Sequence, residues 1–195
     1  MQKDQTRTIA LDIGTTLGWA EALDSVIVRS GSIKLKNTDE RWGTAIARLW
    51  DFLTQLVTAP EYAKDFKLEF AYEIVNFHES IHSAHAFGRI LGQVEKFTEY
   101  GNWSFVSYNV GVIKKNFTGK GNAKKIDMCA RCHQLGWKGG RVGTDKDNDE
   151  ADAIAILAVH LAGRNKHIEF LQERHYDPII YPEAKNQEEV YTRSW

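Results

Sequence analysis

Two carboxylates sit inside apolar runs, where a charge is out of place. Asp12 closes the stretch Thr8-Ile9-Ala10-Leu11-Asp12-Ile13, and Glu73 lies within Phe70-Ala71-Tyr72-Glu73-Ile74-Val75. A carboxylate in a buried strand is costly unless it is paired or holds a metal. On an edge strand either residue would simply face water, the ordinary fate of one such acid; two of them in apolar surroundings weaken that alternative. Asp149 and Asp152, within Asp149-Glu150-Ala151-Asp152-Ala153-Ile154, are three residues apart and share a helix face. An acidic first turn is common because the helix dipole favours it. Asp152, however, opens a nearly uninterrupted apolar stretch, so it is expected to face protein. If that helix packs across the sheet, the four carboxylates converge. An all-oxygen set suits Mg²⁺, with Mn²⁺ as a substitute. Two such ions about 4 Å apart can clamp the attacking and leaving oxygens of a phosphodiester.

The elements that must position these acids follow from hydrophobic period and turn residues. Runs at 8–13, 17–23 and 25–35, separated by Gly14-Thr15-Thr16 and Asp24, read as three strands of an antiparallel meander. A helix follows, with Asn37 or Thr38 as its cap, Asp39 and Glu40 in its first turn, and an apolar stripe of Trp42, Ile46, Leu49, Leu53 and Leu56. Residues 68–75 form a fourth strand and 80–100 a second helix. In that helix Ala84, Gly88 and Gly92 recur every four residues, which suggests a face approached by another backbone. A fifth strand at 103–108 precedes helices near 110–117 and 122–135, a polar loop at 139–148 and a helix at 149–162. This order predicts an α/β fold with a mixed five-stranded sheet flanked by helices, the order used by RNase H-like domains. Residues 1–164 are expected to form this RNase H-like domain and 165–195 a C-terminal arm.

The chain has 195 residues and a net charge of −1 from 25 Lys and Arg against 26 Asp and Glu. That total hides its distribution. Residues 111–141 hold Lys114, Lys115, Lys120, Lys124, Lys125, Arg131, Lys138 and Arg141 against the single acid Asp127, a local charge of +7. Such a segment beside flexible glycines can follow a phosphate backbone. A solvated lysine-rich face is the alternative; its place between two parts of the acidic site favours DNA. Hydrophobic residues at 43% and charged residues at 26% exclude a fully disordered chain. No run of 18 apolar residues exists, so no membrane span is expected. The polar start Met1-Gln2-Lys3-Asp4-Gln5 lacks a signal-peptide core, so a reducing cytoplasm with two free thiols is expected.

Asp12-Ile13-Gly14-Thr15-Thr16-Leu17-Gly18-Trp19-Ala20, then Glu73 on a strand, then Asp149-x-x-Asp152-Ala153 resembles the RuvC family of Holliday-junction resolvases over residues 7–163. The wording Thr118-Gly119-Lys120-Gly121-Asn122-Ala123-Lys124-Lys125 is most similar to its phage-encoded branch, which would place the protein in a host cytoplasm. The resemblance implies a metal-dependent endonuclease acting on four-way and other branched DNA in recombination and repair. It implies Asp12, Glu73, Asp149 and Asp152 as ligands of two Mg²⁺ ions. Lys114 and Lys125, bracketing the Gly-x-Gly loop, match two lysines near the family's active site, and Lys115, Lys120 and Lys124 would join them on DNA. Gly88-x-x-x-Gly92 resembles the family's helix at a homodimer interface. The bacterial family also stacks an aromatic at the junction centre; Phe77, four after Glu73, is the nearest counterpart, shifted by one and equally suited to the core.

Other motifs carry less. Asp12-Ile13-Gly14-Thr15-Thr16 also resembles the first phosphate loop of actin-like sugar kinases, which need two such domains; an RNA-processing nuclease of the same fold is a further alternative. Cys129-Ala130-Arg131-Cys132-His133 matches a haem-attachment pattern, but haem attachment needs export, so two thiols one turn apart and no haem are expected. A zinc site would need two more ligands. His78, His82 and His85 share helical spacing near Glu73, where His82 or His85 could approach a phosphate.

Overall fold

The three N-terminal apolar runs form strands β1 (Thr6–Asp12), β2 (Thr16–Leu23) and β3 (Val26–Lys34), paired antiparallel in sequence order. The structure is a computed structural model that describes residues 5–58, 66–76, 80–139 and 148–170. Strand β4 (Lys67–Ile74) lies parallel to β1, and β5 (Ser104–Asn109) parallel to β4. The expected five strands are thus present in a mixed sheet. A two-residue strand, β6 (Glu169–Phe170), adds to the far edge beside β3, giving the order β5-β4-β1-β2-β3-β6. It comes from the residues just beyond α5, tied to the β2–β3 turn by Lys166 on Asp24 at 3.0 Å.

Helices α1 (Trp42–Thr58) and α2 (Ile81–Tyr100) cover one face of the sheet. Helices α3 (Val110–Thr118), α4 (Lys125–Gln134) and α5 (Asn148–Ala162) cover the other. Side-chain alternation assigns the faces. Ile9, Leu11, Leu17, Trp19, Phe70 and Tyr72 meet the α1 and α2 side. Ala10, Ala20, Ala22 and Ala71 meet α5. Small residues on that second face let α5 lie close to the strands. Nearly all of α5 is buried, from Ala151 through Leu161, so it shows no polar stripe.

One expectation changes. Helix α1 starts at Trp42 with no acid in its first turn, so Asn37 and Thr38 do not cap it. Glu40 instead takes the Arg48 guanidinium at 2.9 Å and the Asn37 side-chain amide at 2.9 Å. Arg48, joined by Asn37, holds the Glu40 carboxyl down at about 2. A forked cation is a stronger partner than a helix dipole. At Gly88 and Gly92 a Cβ would meet nothing within 4 Å among the described residues, so no described residue of this chain makes the close approach. No helix among the described residues is long and apolar enough to cross a membrane.

A buried charged triad fastens α1 to the sheet. Glu21 on β2 is fully buried between Arg7 on β1, at 2.5 Å, and Arg29 on β3, at 2.7 Å. Arg7 also donates to the carbonyls of Leu56 and Val57, and Arg29 to that of Leu56. The two guanidinium groups therefore compensate one buried anion and close the open carbonyls at the end of α1. Removing the anion strands two buried cations, which costs about 3–5 kcal/mol. Glu21→Gln should lower the melting temperature by roughly 6–20 °C, read by circular dichroism.

Candidate active site

The site forms where β1 and β4 end side by side beneath the start of α5. Leu11 pairs with Tyr72, so Asp12 and Glu73 are the next neighbours along the two parallel strands. Both project to the face of Ala10 and Ala71, the α5 side. On its other flank Asp12 pairs with Gly18 of β2. A Cβ at Gly18 would lie 1.8 Å from the Asp149 carbonyl oxygen and 2.4 Å from its carbon. The backbone of Asp149 therefore rests directly on the bare Cα of Gly18. This contact sets Asp149 and Asp152, one turn apart on α5, over Asp12.

The four acids act on one another. Burial, and then the charges of Asp152, Glu73 and Asp149, push Asp12 well above the usual carboxylate range, against an opposing pull from Lys125. Burial and the Asp152 charge raise Glu73 from the usual 4.5 to about 7, opposed by Lys114 and Lys125. Burial raises Asp152, with Asp149 adding to it, while Lys125, a hydrogen bond from Asn148 and Lys114 work the other way. So many like charges in a poorly hydrated layer call for a cation. The donors are all carboxylate oxygens, which fits Mg²⁺ or Mn²⁺. Among the described residues, no three His, Cys, Asp or Glu side chains close around one ion position.

The two lysines singled out by sequence reach this field from separate helices. Lys114 is half-buried on α3, and Lys125 is the first residue of α4. Between them Gly119 ends α3 in the left-handed conformation, φ 81°, which glycine adopts without strain. Ala123 is buried in the core and anchors the returning loop. Lys115, Lys120 and Lys124 are exposed on this surface. Asp127, the segment's single acid, is spent locally: its Oδ2 accepts the Lys124 backbone N–H at 2.9 Å as half of a capping box. His82 and His85 are exposed in the first turns of α2. Phe77 and His78 lie outside the described residues. Cys129 and Cys132 are buried free thiols between α4 and α5, and burial pushes the Cys132 thiol up.

Helix α5 is held at both ends by residues that the motif reading passed over. At its start Glu150 Oε1 accepts from Ser30 Oγ at 2.6 Å and from Trp137 Nε1 at 2.9 Å. At its far end His160 and the following Arg164 meet Glu69, which is fully buried on β4 and shares the face of Glu73. Burial works to raise the Glu69 pKa, yet hydrogen bonds from Arg164, Lys67 and His160 leave it lowered. Burial lowers the His160 pKa, so the ring is neutral at pH 7. The tautomer with its proton on Nε2 serves both neighbours, Glu69 at 3.3 Å and the Tyr108 hydroxyl at 3.0 Å. One signal for this second cluster was visible in the chain: Glu69, like Glu73, interrupts the apolar strand.

A mixed sheet of three antiparallel strands extended by parallel ones, with helices on both faces, is an RNase H-like fold. Two solved structures are similar to it. One, described as T. thermophilus RuvC in complex with Holliday junction substrate, has a TM-score of 0.67 and 19% identity, over 82% of this chain and 96% of that one. The other, described as a Thermus thermophilus RuvC structure, has a TM-score of 0.62 and 19% identity, over 84% and 99% of the two chains. No family model matches the sequence, and no curated protein matches it.

Two outcomes follow from this geometry. Gly18→Ala forces the first turn of α5 off the sheet, so it should cost roughly 1–3 kcal/mol or more, measured by denaturant unfolding. The raised carboxyls set a second. As pH rises from about 4.5 towards about 7, the unfolded chain gives up protons that folded Glu73 retains. The unfolded state then binds fewer protons, and this group's contribution to stability falls. In chelator, Glu73→Gln should be less stable-sensitive to rising pH than wild type and the more stable of the two at about pH 7.5, read from paired thermal melts. Added Mg²⁺ should stabilise wild type and leave Glu73→Gln little changed.

Proposed function

We propose that this protein is a metal-dependent, structure-selective endonuclease that cuts four-way junctions and other branched DNA. The observation that carries the reading is the gathering of Asp12, Glu73, Asp149 and Asp152 in one electrostatic field, opposed by Lys114 and Lys125. Similarity of fold to a RuvC structure bound to a Holliday junction substrate supports the same substrate class. The wording of residues 118–125 is the part that leans towards the phage-encoded branch.

In this reading the four carboxylates hold two Mg²⁺ ions, or Mn²⁺, per site. Such ions supply an acidified water and offset charge on the phosphodiester. The chain's own residues do the rest. Asp12 and Glu73 sit on rigid strand ends, and Asp149 and Asp152 on a helix seated against them, so the ligand positions are pre-set. Lys114 and Lys125 bring positive charge to the same point and receive the scissile phosphate. Lys115, Lys120 and Lys124 extend that charge along the duplex arm. His82, exposed at the start of α2, would contact the branch point, a role this reading also gives to Phe77. Two copies of the chain, meeting on the open α2 face at Gly88 and Gly92, would place two sites on one junction and nick it symmetrically.

Labelled four-way junction, linear duplex and structured RNA, each with Mg²⁺, test the reading together. Cleavage of the junction in preference to the other two is the expected result. Preference for RNA would move the substrate class, and tight ATP binding without cleavage would favour a phosphotransferase. Asp12→Asn should reduce cleavage to background while junction binding in a gel-shift assay stays within about threefold of wild type, because phosphate contacts dominate affinity. Joint loss of both would make Asp12 structural.

A further inference from the structure

Glu150 lies between Asp149 and Asp152 but points away from them. Its Oε1 is a single acceptor shared by two donors from distant parts of the chain, Ser30 on β3 at 2.6 Å and Trp137 at 2.9 Å. Ser30 is buried in the sheet, 120 residues earlier in sequence. Trp137 is 2% exposed, just beyond α4, and its ring packs on His133 at 4.7 Å. Its setting is tightly shaped. A Cβ at Gly139 would lie 2.6 Å from the indole Nε1, so only glycine lets the chain leave across that ring. A second tie runs in parallel: the Cys132 thiol donates to the Ala151 carbonyl at 3.5 Å. The start of α5 is thus bound on one side to the sheet and on the other to the helix whose first residue is Lys125.

We propose that Glu150 is a positioning residue. By holding Ser30 and Trp137 at one oxygen it sets how Asp149 and Asp152 stand against Asp12 and Glu73, and Trp137 makes that setting depend on α4. This inference rests on the reading that those four carboxylates hold divalent cations. The physical need is clear. The acids lie close enough to oppose one another's ionisation, and Gly18 offers α5 a seat but no side chain to hold it. The two hydrogen bonds to Glu150 supply a directed hold at that end. They also join the acidic helix to the basic one, so that phosphate drawn to Lys125 and ions drawn to Asp152 meet in register.

The test uses full-length protein and four variants: Glu150→Ala, Glu150→Gln, Ser30→Ala and Trp137→Phe. Mn²⁺ binding is read by isothermal titration calorimetry, and hydrogen exchange of residues 148–153 is read without metal. Glu150→Ala should weaken Mn²⁺ binding on the order of 10–100-fold, the usual cost of losing a group that orients a ligand. It should also speed exchange in the first turn of α5. Glu150→Gln keeps the acceptor oxygen and should recover most of both. Ser30→Ala and Trp137→Phe, which leave α5 untouched in sequence, should each give a smaller change of the same sign. Junction binding in chelator should not change in any of them. Unchanged Mn²⁺ affinity in Glu150→Ala overturns the proposal, as does a Glu150→Gln variant as impaired as Glu150→Ala. If wild type itself binds no Mn²⁺, the functional reading fails rather than the bridge. Exchange then decides alone: equal protection of α5 in wild type and Glu150→Ala overturns the bridge.

Discussion

Carboxylates crowded into a poorly hydrated layer repel one another, and everything around the site of this protein answers that repulsion. Asp12 and Glu73 have no freedom to separate, because parallel pairing of β1 and β4 sets their spacing. Asp149 and Asp152 could escape by a small shift of α5. They are kept in place by a backbone seated on Gly18, by Glu150 at the near end of the helix and by the Glu69 cluster at the far end. Burial first, and then this crowding, raises the pKa of both Glu73 and Asp12. A divalent cation is the chemical species that would relieve it, which is why the proposed function places one there.

The positive charge is arranged with equal economy. Residues 111–141 carry most of the basic residues near the site, and their one acid, Asp127, is engaged with the Lys124 backbone N–H at the start of α4. The lysines therefore act outward without local cancellation. Lys114 and Lys125 come from different helices and approach the same carboxylates because the loop between them doubles back at Gly119. A net charge near zero is consistent with this arrangement, since opposite charges are segregated within the molecule rather than mixed. Segregation puts a positive surface beside a cluster of carboxylates, the pairing that the proposed function uses for phosphate and cation.

Two buried charged groups on opposite faces of the sheet do different work. The Arg7–Glu21–Arg29 triad locks α1 to the strands and lies on the face away from the site. The Glu69, His160 and Arg164 cluster locks α5 and shares a strand face with Glu73. Both were hard to see in the chain. Arg7 alternates with Ile9 and Leu11, and Glu21 with Leu17 and Trp19, so both fall on the apolar face, where only their tertiary pairing with each other and with Arg29 makes burial tolerable. Glu69 was noted only as an exception to an apolar strand. Ser30 and Trp137 carry no chemical signature of their own, and Glu150 was hidden inside the acidic turn that drew attention to its neighbours.

The sequence by itself determined the element types, the five main strands, the four acids and the two lysines that reach them. Those features are local: hydrophobic period reads out strand and helix, and a charge inside an apolar run is conspicuous without any knowledge of its surroundings. It misplaced the start of α1, because Glu40 prefers a guanidinium eight residues away to a helix dipole. Only the tertiary structure decided that Gly18 faces Asp149, that Glu150 bridges β3 to the end of α4, that Glu169–Phe170 add a sixth strand, and that no described residue packs on Gly88 and Gly92. Such contacts depend on strand register and on which layer a helix occupies. Both are settled by packing between residues tens of positions apart, which no local pattern encodes.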